Sequence, residues 1–375
     1  MERRGCAISL SSTQSTRPPR NAAVSRFDIN KDERMAKLGV GVVGVGTMGR
    51  QHAQNLRCLI PEARLIAVAD ADAKRAEQAA AELEIEHFYG SVEALVERKD
   101  IQAVVIVTPA KFHGAAIRVC AQAGKDIFCE KPFTLTLDEA DQMLDLTKKA
   151  GVRVQVGHVR RYDPPNVRAK QRIDAGEIGD PVIFKSLARD PAPPPVSYMA
   201  SGVNGMFFQD STVHEFDLGR WLMNDEIAEI HAYGGVLVFP EIAQFNDIDT
   251  ALLNLKFSRG TLGAVENYMQ SGYGYDIRTE IVGSKGTIMT GYLQHTAETV
   301  LTVNGAKTDV VDHFLARFKD GYLLEMRDFV QTILADKNPK VDAFDGRQAV
   351  AAAAAAERSY RENRPAAVQN RTRTA

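Results

Sequence analysis

Between residue 38 and about residue 158, apolar β-branched runs alternate with amphipathic stretches. The runs are Leu38–Val43, 65–69, 103–107, 127–129 and 152–156. They are apolar throughout rather than at every second position, the pattern of strands buried on both faces. Between them, 73–83 and Leu137–Ala150 carry apolar residues at helical spacing. This rhythm predicts a doubly wound parallel sheet. Beyond Val156 the pattern changes. A proline-rich stretch, 192–195, precedes a predicted helix over 211–222, and strand-like runs follow at 229–239, Thr250–Phe257, 261–268 and 278–282. Turns, not helices, separate these runs, so they predict an α+β domain with a large, mostly antiparallel open sheet. Gly283-Ser284-Lys285-Gly286 lacks the full phosphate-loop pattern and sits between two such runs, which predicts a hairpin turn. Helices are expected over 318–335 and 346–361. The expected division is a disordered extension at 1–34, a first domain at 35–158, a second at 159–340, a helix at 341–362 and a frayed tail at 363–375.

Composition narrows the class without changing this picture. The 375 residues are 45% hydrophobic and 25% charged, ordinary for a globular chain and unlike collagen, coiled coil or disorder. Lys plus Arg number 46 against 48 Asp plus Glu, so the chain lacks the positive field that accompanies nucleic-acid binding. Cys6, Cys58, Cys120 and Cys129 show no C-x-x-C spacing, which argues against a zinc or dithiol motif and suits a reducing compartment. No apolar run reaches the roughly 18 residues of a membrane helix. The expectation is a cytoplasmic protein with neither nucleic-acid nor membrane partners and no metal.

Gly44-Val45-Gly46-Thr47-Met48-Gly49 matches G-x-G-x-x-G directly after the first predicted strand and at the start of a helix. Gly44 suits the tight turn, Gly46 the approach of a pyrophosphate, and Gly49 close helix–strand packing. A helix N-terminus there offers free N–H groups to phosphate. Asp70, at the end of the second run, can accept both hydroxyls of an adenine ribose and would repel a 2′-phosphate, which points to NAD as cofactor. The first domain therefore reads as a Rossmann unit.

Ligands of such sheets bind outside the carboxyl ends of the strands, where Thr108-Pro109 and Glu130-Lys131-Pro132 fall. Lys131 precedes a proline and is biased to extended backbone, which projects it into the crevice. A second constellation is Asp210-Ser211-Thr212-Val213-His214. Four residues apart on a helix, Asp210 and His214 would share a face, and the carboxylate could orient the imidazole. Three structural readings compete: Asp210 as a helix cap beside a Thr212–Glu215 capping box, His214 as a core histidine, or half of a metal site.

Taken together, these residues resemble the Gfo/Idh/MocA oxidoreductases, and most closely their inositol 2-dehydrogenase branch. The carrying segments are GVGTMG (44–49), FCEKPFTLT (128–136), QVGHVRRYDPP (155–165), ARDPAPPP (188–195), DSTVHEFDLGRWL (210–222) and YGYDIRTEIVG (273–283). The resemblance implies Lys131 as the catalytic lysine, preceded by Glu130 at the cofactor and joined to Pro132 by a cis bond. It implies Asp210 and His214 as the pair serving the substrate hydroxyl, Arg160, Asp190 and Tyr275 as lining of a polyol pocket, and Thr108 and His113 near the nicotinamide. The cofactor-binding set is then Gly44, Gly46, Thr47, Met48, Gly49, Asp70, Thr108, His113 and Glu130. Ala188, Asp190 and His158 depart from residues common in that branch. The implied activity is NAD-dependent oxidation of a secondary ring hydroxyl of an inositol by a homotetramer packed through open sheets. A related sugar dehydrogenase, an NAD-using glycosidase and an NAD-sensing binding protein are the alternatives.

Overall fold

The computed structural model describes residues 37–203 and 205–373. Six strands form the first sheet: β1 (Leu38–Val43), β2 (Ala63–Ala69), β3 (His87–Tyr89), β4 (Ala103–Ile106), β5 (Asp126–Glu130) and β6 (Val154–Gly157). Their order is β3-β2-β1-β4-β5-β6 and every pairing is parallel. The continuous apolar runs are explained by two separate cores. Val40 and Val42 of β1 point to one face, where helices Thr47–Gln54, Ala73–Glu82 and Lys319–Leu334 supply Ala53, Ala79, Met326 and Phe329. Val43 points to the other, against Ile117, Met143 and Val350 of His113–Gln122, Leu137–Ala150 and Ala343–Glu362.

The second sheet runs β12-β11-β7-β10-β9-β8-β15. Its strands are β7 (Pro181–Arg189), β8 (Ile227–Gly235), β9 (Thr250–Phe257), β10 (Leu262–Tyr268), β11 (Asp276–Gly283), β12 (Thr287–Gly291) and β15 (Ala366–Ala367). All its pairings are antiparallel except β7–β10. A separate hairpin, β13 (Gln294–Thr302) and β14 (Gly305–Val310), stands beside it. Burial alternates along β9: Ala251, Leu253, Leu255 and Phe257 face the helices, whereas Leu252 and Asn254 lie on the open face. As expected, 283–286 closes the β11–β12 hairpin, with the Gly283 amide donating to the Gly286 carbonyl.

Three features were not foreseen from the sequence. Helix Lys319–Leu334, assigned to the second domain, lays Met326, Phe329 and Val330 on the first sheet, where its apolar stripe finds an uncovered face. Residues 363–373 are not frayed: β15 extends β8, Asn370 donates to the Ile227 carbonyl at 2.8 Å, and Arg371 pairs with Asp141 and Asp145. The polar side chains that read as a solvated tail are the ones making these bonds. β7 passed unread because Lys185 and Ser186 interrupt its apolar positions. The extension expected over 1–34 lies outside the described residues. Among those described, no helix is long and apolar enough to cross a membrane.

Candidate active site

The glycine loop joins β1 to helix Thr47–Gln54 as the sequence predicts. Gly44 has φ +89°, a conformation that disfavours a side chain, and a Cβ on Gly49 would lie 1.8 Å from the Gly44 carbonyl oxygen. Nothing lies within 4 Å of the position a Gly46 Cβ would take, and Gly46 and Thr47 are exposed. Beside them runs a groove lined by Arg50, Asp72, Lys74 and Arg75. An open glycine backbone at a helix N-terminus, next to a groove, fits a dinucleotide pyrophosphate. Asp70 ends β2 as expected, but its carboxylate is already engaged: Oδ2 accepts from the Val45 amide at 3.0 Å and Oδ1 from the Asp72 amide at 2.9 Å. The acid thus ties the glycine loop to the second strand. Met48 packs on the apolar cluster that contains Tyr275, Phe318 and Tyr322.

Thr108 and Lys131 follow neighbouring strands, β4 and β5, so both stand at the carboxyl edge of the sheet. His113 links them, with Nε2 2.8 Å from the Thr108 carbonyl and Nδ1 2.8 Å from the Pro132 carbonyl. Burial is the largest influence on this imidazole and holds its pKa below the ordinary value, although both carbonyls favour the proton. His113 is 1% exposed and acts as a brace between two loops. The Lys131–Pro132 peptide is cis. Glu130, expected at the cofactor, turns away from the crevice: Oε1 lies 2.7 Å from His52 Nε2 and Oε2 accepts the Lys131 amide at 3.1 Å. At the strand's end its side chain falls on the sheet face covered by helix Thr47–Gln54.

Lys131 Nζ donates to the Asp210 carbonyl at 2.8 Å and to Asp210 Oδ1 at 2.9 Å. The two side chains keep 21% and 23% of their surface open. Tyr198 donates to Asp210 Oδ2 at 3.1 Å, a contact with no motif to announce it. Here the expected Asp–His pairing is corrected. A short helix, Phe207–Asp210, ends before helix Val213–Met223 begins, so Asp210 and His214 do not share one regular helix. Among the described residues no hydrogen bond joins them; the carboxylate serves Lys131 and Tyr198 instead. Thr212 makes no side-chain cap, so the expected capping box is absent. His214 Nδ1 is buried without a partner. Burial, then the charges of Arg160, Lys131 and His158, drive its pKa well below the ordinary histidine value, so the ring is neutral at pH 7.

The remaining expected residues gather beside this group. The β7–β11 register pairs Arg189 with Asp276, which sets Asp190 next to Tyr275. Asp190 is pushed up to about 6 by burial, against the pull of Arg160. Tyr275 is buried and raised by burial and by Asp190, and remains a protonated donor. Arg160 is 3% exposed, donates to Glu215, and leaves Nε without a partner. The whole 160–163 segment is anchored: Arg161 binds Asp217, Tyr162 binds Asp328 at 2.9 Å, and Asp163 binds Arg317 at 2.9 Å. Glu215, next to His214 and read in the sequence only as part of a capping box, and Asp217, three residues on, anchor these arginines instead; their place just after the histidine was the available signal.

Residues 38–158 match the Gfo/Idh/MocA model described as an oxidoreductase family NAD-binding Rossmann fold, and residues 170–368 match that family's C-terminal alpha/beta domain. The chain belongs to the Gfo/Idh/MocA oxidoreductase family. It is 39% identical over 324 residues to the scyllo-inositol 2-dehydrogenase (NAD(+)) of Bacillus subtilis, covering 86% of this chain and 94% of the relative. To the myo-inositol 2-dehydrogenase of Thermotoga maritima it is 36% identical, covering 87% and 97%. A crystal structure of scyllo-inositol dehydrogenase from Lactobacillus casei, with bound NAD(H) and scyllo-inositol, superposes with a TM-score of 0.83 at 29% identity, covering 88% of this chain and 99% of that one. As a Gfo/Idh/MocA enzyme, the chain is an NAD-dependent oxidoreductase.

Proposed function

We propose that this enzyme oxidises a secondary ring hydroxyl of an inositol, taking myo-inositol to its 2-keto product or acting on the scyllo isomer. The reading is supported by the electrostatic reach of Lys131 and Arg160 onto the neutral His214 imidazole, and of Arg160 and Lys131 onto Asp190 beside Tyr275. The glycine loop at Gly44, Gly46 and Gly49 would hold NAD, which would supply the hydride acceptor. Lys131, held by the Asp210 carboxylate and carbonyl, donates to the substrate oxygen and favours its negative charge. His214, neutral at pH 7, takes the hydroxyl proton. Asp190 accepts from ring hydroxyls and Tyr275 donates to them, which suits a polyol bearing a donor and an acceptor on every carbon. In this reading Thr108 lines the nicotinamide end of the crevice, His113 and Glu130 brace its walls from behind, and Asp70 selects NAD. The names of the two relatives, one a scyllo- and the other a myo-inositol enzyme, support the substrate class and leave both isomers as candidates.

The test is NAD reduction by the purified enzyme with myo-, scyllo- and D-chiro-inositol and glucose, each repeated with NADP. Activity with an inositol well above that with glucose, and preference for NAD, are the expected results. Failure with every inositol would overturn the substrate reading, and equal use of NADP would overturn the role given to Asp70. We further propose that the open face of the second sheet pairs copies of the chain into a tetramer. Leu252 and Met289 are 58% and 77% exposed there, among the charged side chains of Lys185, Glu266, Arg278 and Glu280.

A further inference from the structure

Beside the β5 end that carries Lys131, and separated from Tyr275 by Tyr322, three titratable groups meet in an apolar pocket. His52 comes from helix Thr47–Gln54, Glu130 from the end of β5, and Glu325 from helix Lys319–Leu334. One ligating atom from each lies within 4.8 Å of the others. His52 and Glu325 have no exposed surface and Glu130 only 7%. Rings close the site: His52 stands edge-on to Phe128 and Tyr322, with centroids at 5.3 and 5.9 Å. Glu130 is fully used, bonded to His52 and to the Lys131 amide. Glu325 is not. Neither of its carboxyl oxygens has a partner.

Two ionised carboxylates cannot share such a pocket with one imidazole at reasonable cost. Either a cation or a second proton must balance them. The 2.7 Å separation of His52 Nε2 from Glu130 Oε1 is a charge-assisted hydrogen-bond length, so that edge of the cluster already holds a proton between its two atoms. The balancing charge is then needed at Glu325 alone. We propose that Glu325 is a neutral carboxylic acid in the working enzyme, and that its neutrality makes it a positioning residue for Lys131. Ionised, it would repel Glu130 and compete for His52; neutral, it leaves Glu130 bonded to the Lys131 backbone. Burial, with the charge of Glu130 adding to it, drives the Glu325 carboxyl well above the ordinary range. The charged and titratable groups facing it are His52, Glu130, Tyr322 and Tyr162, with Lys131 beyond Glu130, Asp328 beyond Tyr162, and Tyr275 and Arg160 beyond Tyr322. The pocket adds to the proposed role of Lys131 and rests on it only for its catalytic consequence.

The experiment uses the full-length enzyme at pH 7, without substrate, so that its outcome is independent of the substrate reading. Infrared difference spectra between the parent and Glu325→Gln are expected to show loss of one protonated-carboxyl band, which shifts in D2O in the parent. Glu325→Ala is expected to lower kcat by roughly 10-fold or more through displacement of Lys131, and Glu325→Gln, a neutral isostere, to restore most of that loss. Absence of a band difference would show an ionised Glu325 and overturn the proposal. So would a stoichiometric divalent cation in the parent that is absent from Glu325→Gln, because the cluster would then be a metal site. If Glu325→Ala keeps the parent kcat, the positioning role fails. Should the variants not fold, 13C NMR of the parent labelled at the Glu carboxyls decides: one carboxyl still protonated at pH 7 supports the proposal, and none overturns it.

Discussion

His214 and Asp190 show how environment assigns roles to common side chains. Burial beside three cationic or neutral bases keeps the His214 ring uncharged, the state a proton acceptor needs. Replacing it with alanine removes general base catalysis worth about 10²–10⁴-fold. We expect kcat of His214→Ala to fall by that order while NAD affinity, measured by fluorescence titration, stays near the parent value; unchanged kcat would remove His214 from the mechanism. Asp190 carries the opposite sign. Its pKa is raised to about 6 by burial, so it is protonated below that pH and a full acceptor above it. The KM for the polyol should therefore rise as pH falls through about 6, and Asp190→Asn should give a higher KM without that dependence. A pH profile of KM for both proteins checks this. The Asp210–His214 pairing, by contrast, was an inference from spacing. Spacing of four implies a shared face only on an unbroken helix, and the break at 211–212 sends the carboxylate to Lys131.

At the scale of elements, the strands of the first sheet were legible because burial on both faces leaves no polar interruptions. β3 was not, since three residues at a sheet edge carry too little pattern. The end of the chain makes the same point. Ala366 and Ala367 hold no strand signal, yet they extend β8, and Gln369, Asn370 and Arg371 bind Arg347, Gln348 and Asp141. Ending the chain after Asn363 should remove these bonds and expose the β8 edge. At about 1 kcal/mol per net hydrogen bond, the loss should be roughly 2–4 kcal/mol of stability. Chemical denaturation of the truncated enzyme measures it, and an unchanged midpoint would show that this segment contributes nothing.

For the whole molecule, the proposed reading divides the labour between the two sheets: the first presents the glycine loop, Thr108 and Lys131, and the second supplies Asp190 and Tyr275 at the β7–β11 end. The open face of the second sheet is left with Leu252 and Met289 exposed. If that face joins copies of the chain, Leu252→Glu should shift the enzyme to smaller species in sedimentation velocity without loss of fold. A parent that sediments as a monomer would refute the tetramer.

Residue pattern alone determined the two fold classes, the glycine loop and the strand-end place of Lys131, because period, turn chemistry and the X-Pro restriction act over a few neighbouring residues. The assignment of Arg160, Asp190 and Tyr275 to a polyol pocket came from motif resemblance, not from pattern. Only the tertiary structure decided which partner each charge takes. Asp210 with Lys131, Arg160 with Glu215, and His52 with Glu130 and Glu325 are separated by 79, 55, 78 and more residues. Such pairs form where distant elements are packed together, and local sequence holds no record of that distance.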